Sequence, residues 1–256
     1  MTQRIRTVLI DLSGTLHVGN DVVPGAVEAL ERLRNTNASI KFVTNTSKES
    51  MRYLHARLNK IGFEIDKDEI FSSLNAVRQV LISRQLSPLL LIDDAAMEDF
   101  TDLVKDSRQN AVVVGLAPSK FHYHELNKAF RLLLEGASLI AIHEGRYYKH
   151  EDGLALGPGP FIKGLEYSSN VKAEVVGKPT AEFFKAALGT ARPEEAVMIG
   201  DDVRDDIAGA QALGMRGILV QTGKYREGDE NKISPGPYKV CSSFVEAVEA
   251  VIQEIT

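Results

Sequence analysis

The chain carries the stretch VLIDLSGT at residues 8–15, in which three apolar residues run directly into Asp11. A run this short is typical of a buried strand that ends in a polar turn. A helical pattern follows, with Ala26, Leu30 and Leu33 on one face. A strand followed by a helix is the repeating unit of a parallel sheet, so this stretch predicts an α/β fold.

The same alternation occurs at both ends of the chain. It continues through a predicted strand at residues 40–43 and returns with predicted strands at 196–199 and 217–220. We therefore predict a Rossmann-like, doubly wound parallel sheet built from two separate segments, residues 1–80 and 178–256.

The residues between these segments, 81–177, have a different texture and are predicted to form an inserted α/β domain. Its helical pattern covers residues 122–135, and a loop rich in glycine and proline is expected at 153–160. Its predicted strands are 89–92, 112–114 and 139–142.

The composition is that of an ordinary globular protein. Of the 256 residues, 44% are hydrophobic and 25% are charged, which sets aside collagen-like, disordered and disulfide-rich chains. The net charge of −5 argues against a nucleic-acid partner, and no apolar run approaches the ~18–20 residues of a membrane span. Cys241 is the single cysteine and is expected to serve packing. A predicted strand near Ile5 leaves no room for a targeting segment, so we expect a cytoplasmic protein whose mature chain begins at Met1.

Three of the predicted strands run into side chains that can bind a ligand. These are Asp11, the pair Thr44 and Asn45, and Asp201. Ligands of open α/β sheets bind at the carboxyl ends of the strands, where groups from several strands converge. Each residue alone is better explained as part of a polar turn, but the three positions together indicate a ligand site.

Four carboxylates lie within six residues: Asp201, Asp202, Asp205 and Asp206. Some of them could be solvated acids at the start of a helix. Asp201 directly follows an apolar strand, however, and a neighbouring Asp11 would raise the pKa of a carboxyl group unless a cation lay between them. Since all the candidate ligands are oxygens, the cluster favours Mg²⁺ over zinc or iron.

Lys178 lies within Gly177–Pro179, just before a predicted helix. The sequence around it lacks the Ser or Thr and the earlier glycine of a Walker A loop. Alone it is a surface lysine more often than a ligand, but a phosphate held by Mg²⁺ and a lysine fits the set. The six histidines show no metal-binding spacing, and only the roles of His17 and His143 are left open.

These residues together resemble the four motifs of the haloacid dehalogenase superfamily. The match covers almost the whole chain, and the insertion lies between the second and third motifs, where one subgroup of the family carries a large α/β cap. The matching segments are Asp11–Thr15, Thr44–Asn45, Gly177–Pro179, and Gly200–Asp202 with Asp206. The resemblance implies a Mg²⁺-dependent phosphatase that acts on small phosphorylated compounds.

The family mechanism, carried over to this chain, makes Asp11 the nucleophile that becomes an aspartyl phosphate. Thr44 and the backbone of Asn45 would bind the phosphoryl oxygens, with Ser13 beside them, and Lys178 would neutralise the negative charge.

The resemblance also implies the metal ligands. Asp11, the main-chain carbonyl of Ser13 and Asp201 would hold Mg²⁺, with Asp206 as a more distant or water-mediated partner. A homodimer through the cap is a further expectation from the family.

Ser13 departs from the family pattern, because typical phosphatases of the superfamily have a second Asp there as general acid and base. A serine hydroxyl is too weak for either task near neutral pH. We therefore expect substrates whose leaving groups need little protonation: pyrophosphate, phosphoramidates, and aryl or acyl phosphates.

Two other functions remain open. A weakly active or non-catalytic phosphate-binding module would explain Ser13, and a dehalogenase would leave the acidic cluster unexplained.

In the insertion, Tyr147, Tyr148, Lys149 and the 153–160 loop either face the substrate or are ordinary surface features. His143 and Glu144 stand where relatives often have Thr and Asn, which puts transfer of their substrate preference in doubt.

Overall fold

The computed structural model describes residues 4–103, 108–150 and 152–255, so the expected start at Met1 lies outside the described residues. Their strands are β1 (Thr7–Ile10), β2 (His17–Val18), β3 (Asp21–Val22), β4 (Ser39–Thr44), β5 (Ile70–Ser72), β6 (Pro88–Leu91), β7 (Ala111–Val114), β8 (Ser138–Ala141), β9 (Tyr147–His150), β10 (Gly153–Leu156), β11 (Glu174–Val175), β12 (Ala196–Gly200), β13 (Arg216–Val220) and β14 (Lys239–Cys241).

The α-helices in the same ranges are α1 (Ala26–Arg34), α2 (Met51–Lys60), α3 (Ser73–Ser83), α4 (Tyr123–Leu134), α5 (Gly159–Ser169), α6 (Ala181–Leu188), α7 (Gly209–Ala212) and α8 (Phe244–Ile255). The residues after β12 begin as a π-helical stretch, Val203–Ala208, which becomes α-helical in α7. None of the helices in the described ranges combines the length and the hydropathy needed to cross a bilayer.

A six-stranded parallel sheet carries the predicted site. Its order is β14-β13-β12-β1-β4-β5, so β1 lies between β12 and β4. Ile10, the last residue of β1, pairs with Ile199 on one side and Phe42 on the other. The carboxyl ends of the three central strands therefore lie side by side, and the predicted doubly wound parallel sheet is confirmed.

Both faces of this sheet are covered, which explains why β1 is buried at every position. Val8 and Ile10 point into a core shared with α1 and α8. Leu9 points to the opposite face and packs with Phe183 and Phe184 of α6. Burial of each such side chain contributes about 1.5–3 kcal/mol, so the central strand is held from both sides.

A second, four-stranded parallel sheet, β11-β8-β7-β6, lies within residues 88–175. Helices α4 and α5 pack on one face of it, and α3 packs on the other. The predicted domain limits at 80 and 178 stay a prediction. Helix α3 ends beyond residue 80, but most of it precedes that limit and its buried side chains Leu74, Val77 and Leu81 pack with this second sheet.

The prediction of a glycine- and proline-rich loop at 153–160 is wrong. Residues 153–156 form β10, which pairs antiparallel with β9 in a hairpin, and α5 begins at Gly159. The glycine and proline residues have local uses instead: Gly153 takes a positive φ of 141° after the turn. Pro158 and Pro160 lie at the start of α5, where a missing N–H group costs nothing.

Candidate active site

The predicted site residues lie along one cavity of about 820 Å³ at the carboxyl edge of the large sheet. The cavity is lined by every residue to which the sequence assigns a role: Asp11, Ser13, Thr44, Asn45, Lys178, Asp201 and Asp206. Ser13 is exposed to the cavity, whereas most of the others are buried in its floor. The Ser13 hydroxyl makes no hydrogen bond within the described part of the chain. As a serine, this residue brings no carboxylate to the cavity.

Lys178 is the centre of the site. Its Nζ lies 2.5 Å from Asp11 Oδ1 and 2.7 Å from Asp206 Oδ1, and it donates to the carbonyl of Val43 at 3.1 Å. Burial lowers the pKa of Lys178, but the two carboxylates outweigh burial and raise it above its usual range. The lysine is therefore a fixed positive charge beside Asp11 at every physiological pH.

The side chain of Asn45 holds Lys178 in place, a role that the sequence does not reveal. Its Oδ1 accepts from the Lys178 backbone N–H and its Nδ2 donates to the Lys178 carbonyl, both at 3.0 Å. The close approach requires Gly177, since a Cβ atom there would lie 2.5 Å from Asn45 Oδ1. The predicted contact of the Asn45 backbone with a phosphoryl group stays a prediction.

Asp11, Asp201 and Asp206 form a buried acidic group whose carboxylate oxygens lie within 4.8 Å of one another. Asp201 Oδ1 is buried and has no hydrogen-bond partner among the described residues. Burial, together with Asp11 and Asp206, raises the pKa of Asp201 well above its usual range. Burial also raises the pKa of Asp206 to about 6, with Asp11 adding to it and Lys178 opposing it. A small divalent cation with oxygen ligands fits this group, because it would pair the free oxygen and relieve the repulsion.

Two glycines let backbone approach Asp201. Gly14 has a φ of +95°, and a Cβ atom there would lie 2.0 Å from Asp201 Oδ2. Gly223 has a φ of +57°, and its Cβ atom would lie 2.1 Å from the same oxygen. Larger residues at either position would displace the carboxylate, so the turn after β1 and the loop after β13 both depend on glycine.

The loop Thr222–Lys224 was missed by the sequence prediction. Thr222 Oγ1 donates to the Gly14 carbonyl, and the Lys224 backbone N–H donates to Asp201 Oδ2 at 2.8 Å. The signal was present, because this loop follows a predicted strand at 217–220 and is polar like the other three strand ends.

Lys224 also balances the acidic residues that follow β12. Its Nζ lies 2.7 Å from Asp202 Oδ2. Burial raises the pKa of Asp202, but Lys224 and the backbone N–H groups of residues 204 and 205 outweigh it and lower that pKa to about 2. Burial and the charge on Asp202 raise the pKa of Asp205 to about 7. One lysine thus keeps Asp202 ionised next to the candidate metal group.

The two histidines left open by the sequence both line the cavity. Neither ring nitrogen of the buried His17 has a hydrogen-bond partner among the described residues. Burial and the nearby Arg57 lower the pKa of His17 to about 4, against a smaller opposing effect of Asp11. His143 Nδ1 accepts from the Gly145 N–H at 3.1 Å, and burial followed by Lys224 lowers its pKa to about 3. Both imidazoles are neutral at pH 7.

The insertion supplies part of the cavity wall. Tyr147, Tyr148 and Lys149 of β9 line the cavity, as do Gly157 and Pro158. These residues therefore face the same space as Asp11, and their contact with a substrate stays a prediction.

The comparisons with known proteins agree with this geometry. The family model described as haloacid dehalogenase-like hydrolase matches residues 8–104, and a second HAD-hydrolase-like model matches residues 175–247. The chain is 59% identical over 253 residues to haloacid dehalogenase-like hydrolase domain-containing protein 2 of Homo sapiens, covering 98% of this chain and 97% of the relative. It is 41% identical to phospholysine phosphohistidine inorganic pyrophosphate phosphatase of Homo sapiens, covering 97% and 95%.

A solved structure is similar over most of its length. The glycerol phosphate phosphatase of Mycobacterium tuberculosis, in complex with magnesium, superposes with a TM-score of 0.80 and 25% identity, covering 95% of this chain and 76% of that one. Together with the two parallel sheets and the four motif segments at one edge, these matches show that the chain belongs to the family of haloacid dehalogenase-like hydrolases.

Proposed function

We propose that this protein is a Mg²⁺-dependent phosphatase that acts on small phosphorylated compounds through an aspartyl-phosphate intermediate. The observation that carries the proposal is the pairing of Asp11 with the Lys178 ammonium, 2.5 Å apart at the floor of the cavity. A buried ion pair of this kind stabilises the fold less than well-packed apolar residues would, so its placement points to chemistry. The two named phosphatases among the similar proteins support the same reaction class.

Asp11 would act as the nucleophile. One carboxylate oxygen attacks phosphorus, the bond from phosphorus to the leaving group breaks, and the leaving group takes the electron pair. Water then attacks phosphorus and the bond between phosphorus and the Asp11 oxygen breaks, so that phosphate leaves with the protons of the water and the Asp11 carboxylate is regenerated. Lys178 supplies a fixed positive charge at the phosphoryl oxygens, and Thr44 lines the cavity beside them.

Asp11, Asp201 and the carbonyl of Ser13 would hold the metal, with Asp206 as a further partner. When bound, Mg²⁺ would neutralise charge on the transferring phosphoryl group. Asp206 is 2.7 Å from Lys178, so in this arrangement it also fixes the lysine.

Ser13 narrows the substrates that we propose. Its exposed hydroxyl replaces the carboxyl group that would protonate a leaving group, and the two cavity histidines, buried His17 and half-buried His143, are both neutral. Good substrates therefore carry leaving groups that need little protonation, such as those of pyrophosphate, phosphoramidates, and aryl or acyl phosphates. The name of the human relative at 41% identity lists phosphoryl compounds of this kind.

The test is a phosphate-release assay over small phosphates with Asp11→Asn as the blank. Release should require Mg²⁺ and fall by at least about 10³-fold in Asp11→Asn. Ser13→Asp should raise the turnover of an alkyl phosphate far more than that of an aryl phosphate. Equal gains on both substrates would contradict the leaving-group argument.

Ser13 also supports a second candidate, a phosphate-binding module with little or no turnover. Metal-dependent trapping of beryllofluoride on Asp11, without phosphate release from pyrophosphate, would favour it. The cytoplasmic location, the lack of a nucleic-acid or membrane partner and the homodimer through the insertion stay predictions.

A further inference from the structure

Five cationic side chains of lysine or arginine line the cavity within the described residues, and they fall into two groups. Lys178, Lys224 and Arg57 are held by carboxylates at short distance. Lys48 and Lys149 have no acidic partner within 4.0 Å among the described residues. A cation without a counter-charge inside a substrate cavity is free to bind an anion that arrives with the substrate.

The two unpaired lysines come from different parts of the fold. Lys48 follows β4 in the large sheet, close to the predicted phosphoryl-binding residues. Lys149 lies in β9, on the hairpin of the insertion. The two lysines therefore line the same cavity from two parts of the fold, the segment after β4 and the hairpin of the insertion.

Tyr148, which precedes Lys149 in β9, is a neighbour of Lys48. The Nζ atom of Lys48 lies 4.0 Å from the centre of its ring. A cation–π contact of this kind orients the ammonium group but is weaker than an ion pair with an oxyanion, so it leaves the charge available. Asp21 is an acidic residue that also lines the cavity, and within the described residues it forms no ion pair with either lysine.

We propose that Lys48 and Lys149 bind a second oxyanion, carried on the leaving group of the substrate. The inference rests on the proposed function, because Lys178 and the acidic group already account for the phosphoryl group itself. It restricts the substrates to phosphorylated compounds that bear a separate carboxylate or phosphate.

The test compares two substrates of equal size and different charge: 3-carboxyphenyl phosphate and its neutral analogue 3-carbamoylphenyl phosphate. Wild-type protein should prefer the carboxylate by about tenfold in kcat/KM, the size expected for a charge-assisted hydrogen bond. Lys48→Met and Lys149→Met should each reduce this preference, and the double variant should abolish it. Lys185→Met is the matched control, since Lys185 is an exposed lysine of α6 outside the cavity, and it should keep the full preference.

A third probe, 3-phosphonophenyl phosphate, distinguishes the two sources of an oxyanion. A preference for it over the carboxylate indicates a phosphate on the natural leaving group, and the reverse order indicates a carboxylate. Both preferences should shrink as ionic strength rises, because the two lysines are partly exposed to solvent.

Binding separates this proposal from the phosphatase itself. Calorimetric titration of the Asp11→Asn protein with the carboxylate and the carbamoyl compound should show the same preference without turnover. If the wild-type protein releases no phosphate but the binding preference is intact, the proposed phosphatase function is refuted and the subsite is not. Equal affinity for both compounds in Asp11→Asn, or a preference that survives loss of both lysines, would overturn the subsite.

Discussion

Replacing Asn45 with alanine tests whether this side chain is needed to position the catalytic lysine. The change removes both hydrogen bonds to the backbone of Lys178, each 3.0 Å long. Lys178 is only 2% exposed, so its N–H and C=O groups would lose their partners in a buried setting. The effect should therefore appear in stability and in catalysis together.

The expected magnitude follows from the two unsatisfied groups. Each buried polar group left without a partner costs about 1–2 kcal/mol, which gives a loss of about 2–4 kcal/mol. For a chain of 256 residues the entropy of unfolding is about 0.5 kcal/mol per kelvin, so the thermal midpoint should fall by about 4–7 °C. A displaced Lys178 should lower kcat/KM by about tenfold or more.

Urea unfolding and phosphate release on the same preparations measure both effects. Asn110→Ala is the control, because the exposed Asn110 side chain makes one hydrogen bond within the described residues, accepting from the Ser87 N–H at 2.8 Å. It should cost about 1 kcal/mol or less and leave kcat/KM unchanged. A stability loss in Asn45→Ala no larger than in the control, with kcat/KM within about twofold of wild type, would refute the positioning role.

Three further substitutions test neighbouring features. Gly14→Ala places a methyl group 2.0 Å from Asp201 Oδ2. It should destabilise the fold by about 2 kcal/mol or more and raise the Mg²⁺ concentration needed for half-maximal activity. Wild-type values in urea unfolding and in metal titration would contradict this. The pKa of His17 is lowered from 6.5 to about 4 in the folded protein, so the unfolded chain takes up a proton first and stability falls as the pH drops between these values. His17→Phe should remove that fall and raise the midpoint at pH 7 by about 2–5 °C in calorimetry with a chelator present, whereas a lower midpoint would show that the imidazole is a stabilising group. Lys224→Met leaves Asp202 unpaired and should lower the free energy of unfolding by about 2–3 kcal/mol at pH 7. This loss should shrink as the pH falls from about 4 to 2, because Asp202 becomes protonated. A loss that stays constant in urea unfolding across that range would contradict the prediction.

Much of the large sheet and its site could be predicted because the information is local. Each central strand is a short apolar run that ends in a polar residue, and parallel strands bring such ends to one edge. Asp11, Thr44 and Asp201 therefore fall together without any knowledge of the side-chain contacts. Lys178 joins them only through the resemblance, since one lysine before a helix carries no distinctive pattern.

The remaining contacts could not be predicted because they join segments far apart in the chain. Asn45 bonds to a backbone 133 residues later, and Thr222 bonds to one 208 residues earlier. No periodicity or spacing records a contact of this kind. The predicted strand at 217–220 is also followed by polar residues, Gln221 to Lys224. By the argument used for the other three strands, this segment is expected at the same edge of the sheet.

The loop expected at 153–160 shows why glycine and proline mislead. Both residues occur in loops, but Gly153 here follows a hairpin turn with a positive φ and Pro158 begins a helix. Glycine and proline are dense at 153–160 because a strand begins at Gly153 and a helix begins soon after it, at Gly159.

The pairing of β1 with β12 has a consequence for synthesis of the chain. β1 ends at Ile10, and the strand that covers one of its edges begins only at Ala196. At about 5–20 residues per second, that apolar edge waits roughly 10–40 s on the ribosome for its neighbour. The strands of the second sheet, in contrast, all lie within residues 88–175 and can pair sooner. We therefore expect the second sheet to form before the large sheet is complete, and the edge of β1 to be exposed in a nascent chain until β12 has emerged.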